Sequence, residues 1–284
     1  ELCRQNAPHL PTHVKHLPYE FGMPWFSYTP EAAVFFDYAD GIDRKTLAQM
    51  TDIIGTDSWA DNEHDATGRL SADVTSYQTA YLNLLRSYAP AKWIFDSEWH
   101  IIRCDTPATR PACLDIVMQQ NAVHGLKAGT FWVCSPGNGQ HLELSSTAPL
   151  LLQGGLTSAK IRSQRNLFNA LANRSKRLGV LYSPKSRHVG DRLHITQLLT
   201  YMEAAAFSGV EPRMIDERQL INGEVTAKDL DLLVVLDCVL PMDETPSALR
   251  KFAADGGKMI LYGRFGTKLA QRSEFPEFLR TSRF

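Results

Sequence analysis

The run Trp93-Ile94-Phe95, passing at once into Asp96-Ser97-Glu98-Trp99-His100, constrains the fold more than any other stretch. A short, wholly apolar run suits a strand covered on both faces, and such strands belong to parallel sheets. The run ends abruptly in carboxylate, hydroxyl, indole and imidazole. A parallel strand delivers side chains to a functional site at that end.

Taken in order, the chain repeats this arrangement. PTHVKHL (11–17) reads as a strand, 43–50 as a helix, and TDIIG (51–55) as a strand running into Thr56-Asp57-Ser58-Trp59. A helix over 71–88 is stopped by Ala89-Pro90, and after the Trp93–Phe95 strand a helix over 108–124 ends at Gly125, a residue suited to the left-handed turn that closes a helix. GTFWVC (129–134) is the next strand. Strand, polar loop and helix thus alternate four times in the first 135 residues, which implies a parallel sheet. A complete eight-fold (β/α) barrel takes about 250 residues, so four units make half of one. A helix is expected over 158–178, and a second alternating block follows: GVLYS, a helix over 193–208, EPRMID, DLLVVLD, a helix over 245–254, and KMILYG. This reads as an open, doubly wound α/β domain of flavodoxin type. The expected organisation is therefore a partial barrel over 1–155 and a flavodoxin-like domain over 156–284.

At 284 residues and 44% hydrophobic, the chain is large enough for two such domains. A formal net charge of −1 offers no electrostatic case for nucleic acid or an anionic membrane, and no apolar run reaches the ~20 residues a membrane helix requires. Five widely spaced cysteines, an odd number without a C-x-x-C pair, read as reduced thiols. The opening ELCRQNAP reads as the tail of a helix, so we expect a longer parent chain. That opening leaves the compartment unassigned, with the cytoplasm as the default expectation.

APHLPTHVK, TDIIGTDSW, WIFDSEWH and GTFWVC, followed by RLGVLYSPKS, DLDLLVVLD and FAADGGKMILYG, stand in an order that resembles the C-terminal half of glycoside hydrolase family 42, the β-galactosidase-like type. The resemblance spans nearly the whole chain and places the first four segments at barrel strands five to eight. It implies a (β/α)8 barrel followed by a flavodoxin-like trimerisation domain, and hydrolysis of terminal β-galactosides with retention. Glu98 matches the family's nucleophile on strand seven. The partner acid/base, usually in an Asn-Glu pair on strand four, is expected upstream of Glu1, so this stretch alone is expected to be inactive. No redox cofactor is implied. The implied partners are an oligo- or polysaccharide or galactoside substrate and two further copies of the chain.

Trp59 and Trp132 match aromatic positions lining the sugar site, where an apolar ring faces the CH side of a pyranose. Asp57 and His100 are candidates to hydrogen-bond sugar hydroxyls. SPGNGQHLE, after strand eight, departs from the family pattern of an Arg after the Trp with Glu and His downstream; Gln140 and His141 stand as partial substitutes. No metal site is expected: His13 and His16 fall on opposite faces of a strand, and Asp61-Asn62-Glu63-His64-Asp65 reads as a solvated loop. Cys238 lacks the sharp glycine turn that exposes a nucleophile. Two rivals stay open: a non-catalytic carbohydrate-binding or assembly protein of the same fold, and a flavin- or nucleotide-binding protein built on the second domain.

Overall fold

The computed structural model describes residues 5–16, 43–57, 72–99, 110–131, 148–189 and 193–267. They form two compact units that divide between Arg174 and Ser175. No described helix is long and apolar enough to cross a membrane.

The first unit holds strands β1 (His13–His16), β2 (Ile53–Thr56), β3 (Trp93–Trp99) and β4 (Leu126–Phe131), all parallel and in that spatial order. Helix α1 (Arg44–Met50) precedes β2, α2 (Ala72–Tyr88) precedes β3, α3 (Arg110–Val123) precedes β4, and α4 (Ala148–Ser163) and α5 (Arg165–Ala172) follow it. Strand alternation gives the sheet two different faces. Ile54, Ile94 and Leu126 lie buried under Tyr81, Leu84 and Leu85 of α2 and Leu114, Val117 and Met118 of α3. The opposite face carries His13, Lys15, Ile53, Gly55, Trp93 and Phe95, and there Trp93 is 64% exposed. In a closed barrel this second face is the interior.

Local chemistry fixes the elements. Asp43 caps α1 by accepting from the Thr46 N–H at 3.2 Å. Lys92 satisfies the end of that helix, donating to the carbonyls of Ala48, Gln49 and Thr51 at 2.9, 2.7 and 2.6 Å. Asp52 ties the starts of β1 and β2 together by accepting from the N–H and hydroxyl of Thr12. After α3, Gly125 adopts φ +98° and ends the helical segment as its sequence signal indicates.

The helix expected over 158–178 is instead α4, which starts at Ala148, and the shorter α5. Leu150 to Gly155 are therefore helical despite two glycines. Leu150, Gly154 and Thr157 are buried along α4, which packs on α3. That tertiary packing offsets the poor helix propensity of glycine. Residues 155 and 156, where the sequence reading draws the domain boundary, lie within α4, which packs on α3.

The second unit holds β5 (Leu178–Tyr182), β6 (Arg213–Asp216), β7 (Leu232–Leu236) and β8 (Met259–Tyr262) in the spatial order β6-β5-β7-β8, again all parallel. This is the flavodoxin order, reversing direction between β5 and β7. Helices α6 (Pro184–Val189) and α7 (Leu193–Phe207) link β5 to β6; α8 (Glu217–Ile221) follows β6, and α9 (Thr245–Ala254) joins β7 to β8. Leu181, Ile215, Leu233 and Val235 pack with Leu220 of α8 and Leu249 and Phe252 of α9. On the other face α7 buries Ile195, Leu198 and Met202. Alternate residues serve opposite faces, so LGVLY and LLVVL are apolar without interruption.

Candidate active site

A shift in strand register sets the geometry at the carboxyl end of the first sheet. Asp96 pairs with Gly129 and Trp99 with Phe131, so β3 spends three residues where β4 spends two. Strict alternation would put Glu98 beside Asp96, on the face toward the helices. Asp96 is buried there, with 0% exposure. The irregularity at Ser97 and Glu98 turns Glu98 onto the opposite face, among the side chains of β1 and β2. Bulges re-aim side chains in this way. Asp96 holds the turn by accepting from the Glu98 N–H at 3.2 Å, and the Ser97 hydroxyl reaches the Thr56 carbonyl at 3.4 Å.

On this interior face, Lys15 of β1 extends across β2. Its ammonium lies 3.2 Å from Asp57 Oδ2 and also donates to Glu98 Oε2. The Asp57 side chain is 3% exposed, that of Glu98 19% and that of Lys15 35%. Burial works against the charged amine, but the hydrogen bonds to Glu98 and Asp57 outweigh it and hold Lys15 above its ordinary pKa. His13, on the same face, meets the Phe95 ring edge-on at 5.3 Å, and its pKa is lowered by burial and by Lys15. The His13 ring lies over Gly55 of β2, where any Cβ would stand 2.2 Å from the ring and 2.4 Å from the Val14 carbonyl. The Lys15, Asp57 and Glu98 triad carries a net charge of −1 when all three are ionised.

Of the sequence candidates, Glu98 and Asp57 come together, bridged by Lys15. Trp59, His100 and Trp132 lie outside the described residues. His16 is buried on the helix face, opposite His13, and its carbonyl accepts from the Tyr81 hydroxyl at 3.1 Å. Trp99 turns away from the triad, stacking on Phe131 with ring centroids 5.2 Å apart and lying against Gly129. Sequence reasoning passed over Lys15 and Asp96. The period-two pattern of HVKH places Lys15 on the face of His13, and that was the one available signal.

In the second unit, the switch point between β5 and β7 is filled among the described residues by a buried polar network. His194 accepts from the Ser183 N–H at 3.0 Å through Nε2 and donates through Nδ1 to the Leu236 carbonyl at 2.6 Å. The Ser183 and Ser186 hydroxyls hydrogen-bond each other at 2.8 Å, and the Cys238 thiol donates to Glu217 Oε1 at 3.3 Å. Burial pushes the Glu217 carboxyl up, against hydrogen bonds from Ser183, the Met242 N–H and Cys238. Burial and then Glu217 push the Cys238 thiol well above its ordinary value. A thiol in that state does not supply thiolate at neutral pH. Asp237, at the end of β7, adopts φ +39° and is held by the N–H and Nε of Arg264 at 3.1 and 3.0 Å.

No protein-family model matches the chain, and no curated protein matches its sequence. Solved structures do resemble it. An apo exo-carrageenase of glycoside hydrolase family 42 from Bacteroides ovatus superposes with a TM-score of 0.72 at 18% identity, over 93% of this chain and 36% of its own. The fold is glycoside hydrolase-like. The exo-β-1,4-mannosidase Op5Man5 from Opitutaceae bacterium strain TAV5 superposes with a TM-score of 0.52 at 11% identity, over 76% of this chain and 41% of its own. The chain thus spans well under half the length of either enzyme, and its first unit is a partial barrel.

Proposed function

We propose that this chain forms the C-terminal part of a retaining β-glycosidase of β-galactosidase-like type, with Glu98 as nucleophile. The observation that carries the reading is the register shift in β3, which turns Glu98 onto the barrel-interior face beside Asp57. A carboxylate so placed can attack an anomeric carbon. The carbon–oxygen bond to the leaving group then breaks, the leaving oxygen takes a proton from a second carboxyl, and water later releases the sugar from Glu98. In retaining enzymes the two carboxyl groups stand about 5–5.5 Å apart. The second is expected on strand four of the parent chain, upstream of Glu1. Both neighbours are named as exo-acting, which agrees with removal of a terminal sugar. Asp57, and with it Trp59, His100 and Trp132, is proposed to line the sugar site, and the second unit to assemble the parent chain as a trimer.

The competing reading is a non-catalytic carbohydrate-binding protein of the same fold. It draws on the Lys15–Glu98 ion pair, which an inert structural carboxylate would also form. The parent chain decides between them, using 2-fluoro glycosides of galacto, gluco, arabino and fuco configuration and aryl glycosides of the same sugars. Covalent labelling located at Glu98 by mass, with turnover lowered about a thousandfold or more in Glu98→Ala and Glu98→Gln, supports the nucleophile. Turnover unchanged in both variants removes Glu98 from the chemistry. No turnover or labelling on any of these sugars favours the binding reading.

A further inference from the structure

Resting on the glycosidase reading, we propose that Lys15 is a positioning residue for Glu98: anchored on the buried Asp57, its ammonium fixes the Glu98 carboxylate on the barrel-interior face. Three observations support this. First, the anchor is firm, because Asp57 is 3% exposed and lies 3.2 Å from the ammonium. An isolated surface ion pair gives up most of its benefit by immobilising two long side chains. Here one partner is already held, so the lysine reaches Glu98 with less freedom to lose.

Second, the strand register brings the groups within reach. Lys15 pairs with Gly55, two residues before Asp57, and Gly55 with Phe95, three before Glu98. Gly55 puts no side chain of its own between β1 and β3; the space over it is taken by the His13 ring, which meets Phe95 edge-on. Third, the two holds on Glu98 are complementary. The irregularity that re-aims it fixes its backbone, through the Asp96 carboxylate and the Glu98 N–H. Lys15 donates to its carboxylate. The triad still carries a net charge of −1, so it favours the positive charge that develops on the sugar ring in the transition state.

The parent chain is compared with its Lys15→Met and Lys15→Arg variants, reading the rate of Glu98 labelling by the 2-fluoro glycoside, kcat and KM separately, and the Tm. Lys15→Met is expected to label Glu98 and turn over about 10–100-fold more slowly, with KM within about threefold of wild type. Lys15→Arg, which keeps the charge and the donors, is expected to stay within about threefold of the wild-type rate, clearly faster than Lys15→Met. A packing role would lower the Tm without separating Arg from Met. Wild-type labelling in Lys15→Met, or Lys15→Arg as slow as Lys15→Met, overturns the positioning role while the glycosidase reading stands. Absence of labelling in the wild type overturns both. Should Lys15→Met not fold, Lys15→Gln is read in its place against the same criteria.

Discussion

Acid is expected to loosen the second unit through His194. This ring is wholly buried, and both of its nitrogens are committed: Nε2 accepts from the Ser183 N–H, and Nδ1 donates to the Leu236 carbonyl. A proton added at Nε2 would face the Ser183 N–H, a donor, in a buried site. Burial accordingly lowers the pKa to about 4 from 6.5, despite the Leu236 carbonyl and Asp237, which favour the cation. The unfolded state therefore binds the proton below pH 6.5 and the folded state only near pH 4. The contribution is constant above that window and is lost as pH falls through it. Linkage makes the loss about 2 kcal/mol between pH 7 and pH 5, approaching about 3 kcal/mol near pH 4. Glu217 acts in the opposite sense, because its raised pKa favours the folded state as pH falls. The informative quantity is thus the difference between wild type and His194→Leu. Amide exchange of Val180, Leu181 and Val234, corrected for intrinsic rates, reports the stability of this sheet. The wild type should lose about 2 kcal/mol more than the variant between pH 7 and pH 5, although the variant is less stable at pH 7 because it strands the Ser183 N–H and the Leu236 carbonyl. Equal losses in both proteins would refute the argument.

Two further substitutions test the first sheet. Gly55→Ala places a Cβ 2.4 Å from the Val14 carbonyl, a backbone atom that cannot swing away, and should lower stability by about 1–3 kcal/mol, read as a drop in Tm of the parent chain. Asp96→Ala removes the acceptor of the Glu98 N–H and should slow labelling of Glu98 by about tenfold or more, whereas Asp96→Asn, which keeps an acceptor, should retain most of the rate. Equal rates in these two variants would show that the turn in β3 holds Glu98 without Asp96.

The sequence by itself determined the class of each unit. Apolar runs such as Ile53-Ile54 and LLVVL, each ending in polar residues and separated by helical stretches, permit little besides parallel sheets with covering helices. Both sheets have that form. The polar end of the Trp93–Phe95 run marked the candidate site, and the resemblance to glycoside hydrolase family 42 singled out Glu98 over Asp96 there. The start of α4 at Ala148, ten residues before the expected helix start at 158, was not legible, because local propensity cannot register the packing of α4 on α3. The direction of Glu98 was decided by the tertiary structure alone. Alternation assigns residue 98 to the same face as residue 96, and only the pairing of β3 with β4 reveals the extra residue that reverses it. Lys15 and Asp57 stand 42 positions apart, and Lys15 and Glu98 83. Their meeting follows from strand register across a sheet, a long-range property that no local pattern of residues records.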